Sequence, residues 1–347
     1  MKRDSTGKSD SSRPWRITFE PWYKTHPYLL ISGILAAILF LVVVSLTLPR
    51  QSKNVLSPEE LARRDSAALH VALMPVADCL PFYVAQRVGI YERLGLDLRI
   101  HTLWAQLDTD TALLRRRVHL AYSDLARAIM IQQSDTFDLR AVATTPGQLQ
   151  LITTHRGRVR ALGQLKERMV AVSRHSITDF WSDRLMDSAR MAQTDIFRPQ
   201  INNVRIRTDM LCNGTMDAAL LPEPYALEAR LRGGNQNFNT LGLQPRLTAL
   251  VAPTAVLRDT ARLRQLELLF EGYEQARALT DSLPTLLRQL CLVPDSLADT
   301  IARALPILPP LDQPHQADAD AALRWLGTRG KARKGYKADT LIHPLTR

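Results

Sequence analysis

Met169-Val170-Ala171-Val172-Ser173-Arg174-His175-Ser176-Ile177-Thr178-Asp179 begins with apolar residues, passes through small polar ones and enters an amphipathic helical pattern. That order reads as a strand feeding a helix through a short polar turn. The first N–H groups of such a helix have no partner within it and carry partial positive charge, so they suit an oxygen-rich ligand. Further on, Met216-Asp217-Ala218-Ala219-Leu220-Leu221-Pro222-Glu223-Pro224 reads as another strand, ending in a stiff Pro-Glu-Pro corner. A polar turn and a rigid corner, each closing a strand, point to a ligand cleft.

Outward from these stretches the pattern alternates. Leu69 to Met74, Asp97 to Thr102, Val118 to Tyr122 and Leu139 to Thr144 read as strands. Helical segments at Pro81 to Leu94, Asp108 to Arg117 and Asp124 to Gln132 separate them. Strand and helix in alternation imply parallel strands with right-handed crossovers. A second unit holds Gln150 to Thr154, the Met169 strand and its helix, a strand near Val204 to Ile206 with a short helix after it, and the Met216 strand. Leu247 to Ala252 is one more strand, and the chain after it is mostly helical. The fold class is therefore α/β with two lobes: 69–152 and 248–347 form the first, 153–247 the second. Ligands of open parallel sheets bind outside the carboxyl ends of the strands, so those ends line one cleft.

The 347-residue chain is long enough for both lobes and an appendage. Tyr28 to Leu48 contains no charged residue. Roughly 20 apolar residues match the hydrocarbon core of a bilayer, whereas a cleaved signal has a shorter apolar region and a small-residue cleavage site. The run reads as an uncleaved anchor at 28–48, after a cytoplasmic segment 1–27 and before a linker 49–68. Lys2, Arg3, Lys8, Arg13, Arg16 and Lys24 precede it, and this excess over the basic residues that follow favours an N-terminus in the cytoplasm. The remainder then lies in the periplasm. Cys79, Cys212 and Cys291 have no metal-ligand spacing and allow at most one internal disulfide. The net charge of +11 is spread along the chain without a nucleic-acid-binding motif, so no nucleic acid partner is expected.

Met74-Pro75-Val76-Ala77-Asp78-Cys79-Leu80-Pro81-Phe82-Tyr83-Val84-Ala85, then Gly89-Ile90-Tyr91-Glu92 and Gly95-Leu96-Asp97, resemble the opening of solute-binding proteins of ABC importers. The group is the sulfonate, nitrate and thiamine-precursor binding type, which includes thiamine-pyrimidine synthases. The resemblance continues through Val118 to Asp124, the Ser173 to Asp179 turn and the Pro222-Glu223-Pro224 corner, and covers about Leu69 to Leu326. It implies a type II periplasmic binding fold with a hinge and a closing cleft, and as partners a small polar ligand, an ABC permease and its ATPase. Family members carry a cleaved signal or a lipid anchor, whereas this chain keeps an apolar helix. The cysteine-rich motif of the enzymatic branch is missing, so no catalytic residue, metal or cofactor is expected.

Position nominates the ligand-binding residues. Asp78 lies in the loop between the first strand and helix, with capping of that helix as its ordinary role. Of Phe82 and Tyr83, one is placed to stack on a ligand and the other to fill the core. Ser123 and Asp124 end the third strand, and Thr145 follows the fourth. Ser173, His175, Ser176 and Thr178 line the polar turn, where Thr178 also suits an N-cap. A lone His without a placed nucleophile or acid reads as a hydrogen-bond donor, not a catalyst. Glu223 and Tyr225 form the corner, Glu223 being the strongest single candidate for an amine or heterocycle N–H. Helix N-termini favour an anionic or carbonyl group while Asp78, Asp124 and Glu223 favour a donor, so a small zwitterion or nitrogen heterocycle would satisfy both. Three functions fit: a tethered binding protein that delivers its ligand to an importer, an extracytoplasmic sensor, or a pyrimidine-precursor enzyme on the same fold. The first accounts for the most residues.

Overall fold

The structure is a computed structural model; it describes residues 27–47, 57–155, 159–279, 281–290, 292–305, 310–343 and 345. The segment before Pro27, the first part of the linker and Cys291 lie outside the described residues. The chain divides into one unit ending at Ala62 and another beginning at Arg63. In the first, Pro27–Thr47 is a single α-helix of 21 residues, coinciding with the uncharged run. Several of its side chains lie outside the described residues, and counting only fully described ones no helix is long and apolar enough to cross a membrane. The linker read between 49 and 68 is not all irregular, because Pro58–Ala67 is helical. The Ser57 hydroxyl accepts the Glu60 N–H at 3.1 Å, and Glu59 and Glu60 sit in the first turn, where a helix N-terminus favours negative charge.

Two sheets carry the rest. Strands β1 (Leu69–Leu73), β2 (Leu98–Thr102), β3 (Leu120–Asp124) and β4 (Leu139–Thr144) belong to the first sheet, with β9 (Thr248–Pro253), in the order β2-β1-β3-β9-β4. The second contains β5 (Leu149–Thr153), β6 (Val170–Ala171), β7 (Ala218–Pro222) and β8 (Asn235–Asn239), in the order β6-β7-β5-β8. β1 runs parallel to β2 and β3, and β6 parallel to β7. β9 is antiparallel to β3 and β4, and β5 is antiparallel to β7 and β8. Each sheet thus has one reversed strand, and it is the strand delivered by a crossing from the other sheet. The chain leaves β4 beside the cleft, crosses at 145–148 and starts β5 beside the same cleft; it returns through 240–247 into β9. The first crossing therefore lies ahead of Leu149, a few residues before the 152/153 boundary read from the sequence, because Leu149–Thr153 pairs only within the second sheet.

One reading of the second lobe is corrected, and one strand is added to it. Val204 to Ile206 is not a strand; Val204–Cys212 is one helix, capped where the Asn203 carboxamide oxygen accepts the Ile206 N–H. β8 was not anticipated, since Asn235-Gln236-Asn237-Phe238-Asn239 lacks the β-branched residues that mark strands. It pairs on one side only, with β5.

The C-terminal helices pack back mainly on the first lobe. Thr260–Ala276 lies against Leu80–Arg87, and Gln316–Thr328 against Leu125–Gln132. Gly272 lets Thr260–Ala276 approach Ile90–Arg93 as well: a Cβ there would sit 2.2 Å from Tyr91 Cε1. Tyr91 is 2% exposed and its hydroxyl donates to the Leu269 carbonyl at 3.2 Å, so the ring has nowhere to swing. Gly272→Ala is expected to cost about 1–3 kcal/mol through overpacking, read as a lowered Tm by differential scanning calorimetry. An unchanged Tm would contradict this packing.

Candidate functional site

The carboxyl end of β1 leads through Met74 to Val76 into a short turn, Ala77–Cys79, and then the helix Leu80–Arg87, with Pro81 in the first turn where its missing N–H costs nothing. Asp78 points inward and is 7% exposed. Its Oδ2 accepts from the Tyr122 hydroxyl at 3.0 Å, the Thr145 hydroxyl at 2.6 Å and the Gly147 N–H at 3.1 Å. Burial pushes this carboxyl up, and the three donors pull it back. Asp78 thereby ties together the exit of β1, the body of β3 and the first crossing.

At the end of β3 the Ser123 hydroxyl donates to Asp110 at 2.6 Å, and Asp110 pairs with Arg127. Asp124 caps the next helix by accepting the Arg127 N–H at 2.9 Å on Oδ1. Its Oδ2 accepts the Ile177 N–H at 3.1 Å, across from the second lobe. One side chain of the first lobe therefore satisfies an opening N–H of a helix in the second. Burial raises the Asp124 carboxyl to about 7, against the pull of the Arg127 guanidinium and the two backbone donors.

The polar turn is closed on itself. Ser176 caps Ile177–Ser188 by accepting the Thr178 N–H at 3.2 Å, and its hydroxyl donates to the Ser173 carbonyl at 2.7 Å. The Ser173 N–H donates to the Thr178 hydroxyl at 2.8 Å, and the Ser173 hydroxyl donates to Asn202 at 3.1 Å. His175 stands at φ +56° with its N–H on Asp179 at 2.9 Å. Burial lowers its pKa, and Lys331, Arg329 and Arg127 push the same way. At the Pro-Glu-Pro corner, Glu223 accepts from Gln150 at 2.7 Å, the Leu227 N–H at 2.9 Å and Arg230 at 3.3 Å. Tyr225 donates to the Pro75 carbonyl at 3.0 Å, again between lobes. Phe82 is buried with its ring 4.7 Å from that of Tyr273, and the Tyr83 hydroxyl reaches the Leu73 carbonyl at 3.3 Å.

Backbone bonds also bridge the lobes: Ala77 N–H to the Glu223 carbonyl at 2.8 Å, and Val204 N–H to the Trp104 carbonyl at 3.0 Å. A fastening at the rim completes them. Asp183, on Ile177–Ser188, accepts Trp325 Nε1 and Arg329 Nε, each at 2.8 Å, and pairs with Arg198 at 3.0 Å. Phe180 meets Trp325 edge-on at 5.6 Å. Since Trp325 sits on the helix that packs against Leu125–Gln132, this cluster clips the second lobe to the first.

Between the edges remains a gap of about 40 Å³, room for about one water. Met74, Val76, Asp78, Gln106, Tyr122 and Thr248 line it from the first lobe; Leu149, Thr178, Ile177, Arg207 and Pro222 line it from the second, with Gly147 and Gln148 of the crossing between them. Of the residues nominated from sequence, Asp78 and Thr178 reach this gap. Ser123, Asp124, Thr145, Ser173, His175, Ser176, Glu223 and Tyr225 surround it as bonding partners outside its lining, and Phe82 and Tyr83 lie in the adjoining core.

Gln106, Gln148, Thr248 and Arg207 were not nominated. Arg207 was obscured by reading a strand near Val204 to Ile206 with a short helix after it, which leaves the residue at a junction with no defined face. On a helix, residues two apart point about 200° away from each other. Arg205 accordingly turns out to Asp209 and Glu228, and Arg207 turns in and is 3% exposed. Asn203 just before the apolar-periodic residues was the available helix signal.

Residues 76–241, a little under half of the chain, match the family model described as NMT1/THI5 like. That region spans the opening motifs, the polar turn and the Pro-Glu-Pro corner, in keeping with the resemblance seen in the sequence. No curated protein matches the chain. Among solved structures, the alkanesulfonate-binding protein of Xanthomonas axonopodis pv. citri bound to MOPS superposes with a TM-score of 0.67 at 16% identity, over 80% of this chain and 99% of that one. The periplasmic aliphatic sulphonate-binding protein of Escherichia coli gives 0.64 at 15% identity, over 79% and 97%. The periplasmic nitrate-binding protein of Synechocystis PCC 6803 gives 0.63 at 13% identity, over 79% and 84%. The two-sheet fold with its double crossing is thus the periplasmic-binding-protein fold.

The raised Asp124 carboxyl has a consequence for stability. Folded Asp124 binds its proton more tightly than the unfolded side chain, whose pKa is near 3.8, so between about pH 4 and 7 this residue makes folding less favourable as pH rises. Asp124→Asn, which cannot ionise, is expected to flatten that part of the Tm–pH profile and to lower Tm at pH 4 through loss of one backbone acceptor. Parallel profiles of the two proteins by differential scanning fluorimetry would contradict the assignment.

Proposed function

We propose that this chain is a membrane-tethered extracytoplasmic solute-binding protein. Its two lobes close on a small polar ligand and deliver it to an ABC permease and its ATPase. The observation that carries the reading is the gap at the facing carboxyl ends of the two sheets, lined from both lobes and from the crossing between them. A ligand there contacts both lobes at once, so it binds the closed arrangement more tightly than the open one. The bridging bonds of Asp124, Glu223, Tyr225 and Asp183 are the protein's own share of that closure. Asp78, Thr178, Gln106, Gln148 and Arg207 are the side chains we assign to the ligand. The others nominated from the sequence hold the walls.

A gap for about one water does not admit a solute without the lobes parting, which is what a hinge at two short crossings permits. The uncharged run at 28–48, its helical form and the basic residues before it support a single-pass anchor with the binding unit in the periplasm. Such a tether keeps the protein near its permease and raises their effective concentration. The fold's neighbours are named as sulfonate- and nitrate-binding proteins and as a ligand-binding component of an ABC-type import system, which supports transport over sensing.

The full chain, purified in mild detergent from its own host, is expected to retain one small molecule per chain in native mass spectrometry. It is also expected to co-purify with a permease and an ATPase. Co-purification with a histidine kinase in place of a permease would overturn the delivery role, and turnover of the retained molecule would overturn the binding-protein reading.

A further inference from the structure

The end of the first sheet away from the gap carries charge that the protein leaves open. β1, β3 and β4 all begin there, and Arg115-Arg116-Arg117 lies just ahead of β3, past the C-terminal end of the helix Gln106–Leu114. All three arginines are exposed, and among the described residues none has a carboxylate within ion-pair distance. Arg116 stands at φ +54°, the left-handed position after a helix that ordinarily goes to glycine. A helix C-terminus favours one nearby cation, but three in succession repel one another. The C-terminal segment adds to them. Gln133 Nε2 donates to the Lys331 carbonyl at 2.6 Å and Arg333 pairs with Asp135, which holds the segment against the same end. Lys334 and Lys337 are exposed, again without a carboxylate partner among the described residues. Arg140 pairs with Asp138, and Asp339 is the acidic group left over in this segment. Across the rest of this end Asp65 and Asp97 share Arg99, and Asp259 caps Thr260–Ala276.

A hollow of about 260 Å³ joins the two basic stretches, lined by Leu114, Arg127, Met130, Ile131, Ser134 and Thr136. Leu114 adjoins the arginines and is 41% exposed, while Ser134 and Thr136 flank Asp135, the partner of Arg333. Arg127 is taken by Asp110, so the hollow itself is apolar at Leu114, Met130 and Ile131 and basic at its rim. That pairing matches a phospholipid surface, with phosphates outermost and glycerol and acyl carbons beneath them. Chain connectivity points the same way. The chain reaches β1 from the apolar run at 28–48 through the linker 49–68, and β1 begins at this end of the sheet. A bilayer that holds the run is therefore kept within reach of these side chains.

We propose that this end of the first lobe rests on anionic phospholipid of the membrane that holds the anchor. Arg115, Arg116, Arg117, Lys334 and Lys337 meet lipid phosphates, and Leu114 enters the interface. The proposal rests on the tethered solute-binding reading above and deepens it. The gap lies at the opposite ends of β1 and β3, so in this position it opens to the solution from which solute arrives, and delivery requires the basic end to let go. Loading and delivery are then two orientations of one tethered body.

The test uses the full chain, with Cys212 and Cys291 replaced by Ser, in lipid nanodiscs that carry acceptor dyes on their headgroups. A donor dye sits on Glu92→Cys, exposed ahead of β2 at the basic end, or on Arg184→Cys, exposed on the second lobe. The discs are phosphatidylcholine alone or with about 30 mol % phosphatidylglycerol. Phosphatidylglycerol is expected to raise energy transfer from Glu92→Cys and not from Arg184→Cys, and about 0.5 M NaCl to cancel the rise. The triple variant Arg115→Glu/Arg116→Glu/Arg117→Glu is expected to lose the rise while melting no lower than wild type, and the corresponding triple lysine variant to keep it. Lys334→Glu/Lys337→Glu, outside any helix or strand, is expected to reduce the rise and decides the matter where the triple glutamate variant does not fold. Glycerol 3-phosphate, matched to the lipid phosphate, is expected to leave the rise unchanged; cancellation by it would assign the end to a soluble phosphate ester and overturn the proposal. Equal transfer in both discs, an equal rise from Arg184→Cys, or a rise kept by the glutamate variants also overturns it, and leaves standing the solute-binding reading, which retained solute in native mass spectrometry tests separately. A chain that does not enter phosphatidylcholine discs overturns the anchor instead. Co-flotation with phosphatidylglycerol vesicles and not with phosphatidylcholine vesicles then still supports the lipid contact, and flotation with neither overturns it.

Discussion

Two parallel sheet edges that face each other bring many unfinished polar groups into one place, and the way this chain satisfies them governs the rest of its structure. Each parallel strand ends in a turn that starts a helix, and the first N–H groups of that helix have no internal partner. Here the partners come from across the gap. Asp124 takes the Ile177 N–H, the Glu223 carbonyl takes the Ala77 N–H, the Trp104 carbonyl takes the Val204 N–H, and the Pro75 carbonyl takes the Tyr225 hydroxyl. Closure is thereby written into the backbone as well as the side chains. The Asp183 cluster with Trp325 and Arg329 adds a clip at the rim. Among the described residues, the buried side-chain atoms left without a partner near the gap include Arg207 Nε, Gln150 Oε1 and His175 Nδ1.

That inventory qualifies the charge balance drawn from residue types. Asp78, Asp124 and Glu223 in one cleft suggest a ligand with a cationic or donor end. Most of their oxygens instead hold hydroxyls, amides and backbone N–H groups, and Arg207 lies at the same gap with its Nε buried and unpartnered among the described residues. Counting carboxylates in a cleft says little about a ligand until their protein partners are known, because a buried carboxylate is almost always hydrogen-bonded.

Much of the fold was legible. In the first lobe the strands are short apolar or alternating runs bounded by a turn or cap, and those signals are local. The second lobe was harder for identifiable reasons. β8 is rich in asparagine and pairs on one side only, so it carries no strand pattern. Alternation at Val204-Arg205-Ile206-Arg207 imitates a half-buried strand, and only the Asn203 cap marks the helix. Leu149–Thr153 reads as a strand, yet which sheet it joins depends on pairing with β7 and β8, which is a tertiary fact. The candidate site followed the same division. Strand ends placed Asp78 and Thr178 at the gap, whereas Arg207 lies on a helix side and no strand-end rule reaches it.

The central claim is that the lobes move as two bodies about the crossings at 145–148 and 240–247 and close on a solute. Spin labels on cysteines introduced at exposed Ser134 of the first lobe and exposed Arg184 of the second, in full-length protein with Cys212 replaced by Ser, measure this directly by double electron–electron resonance. The account requires a broad or longer distance distribution after exhaustive dialysis and a single shorter one when the retained solute is restored. One narrow distance, identical with and without that solute, would contradict it.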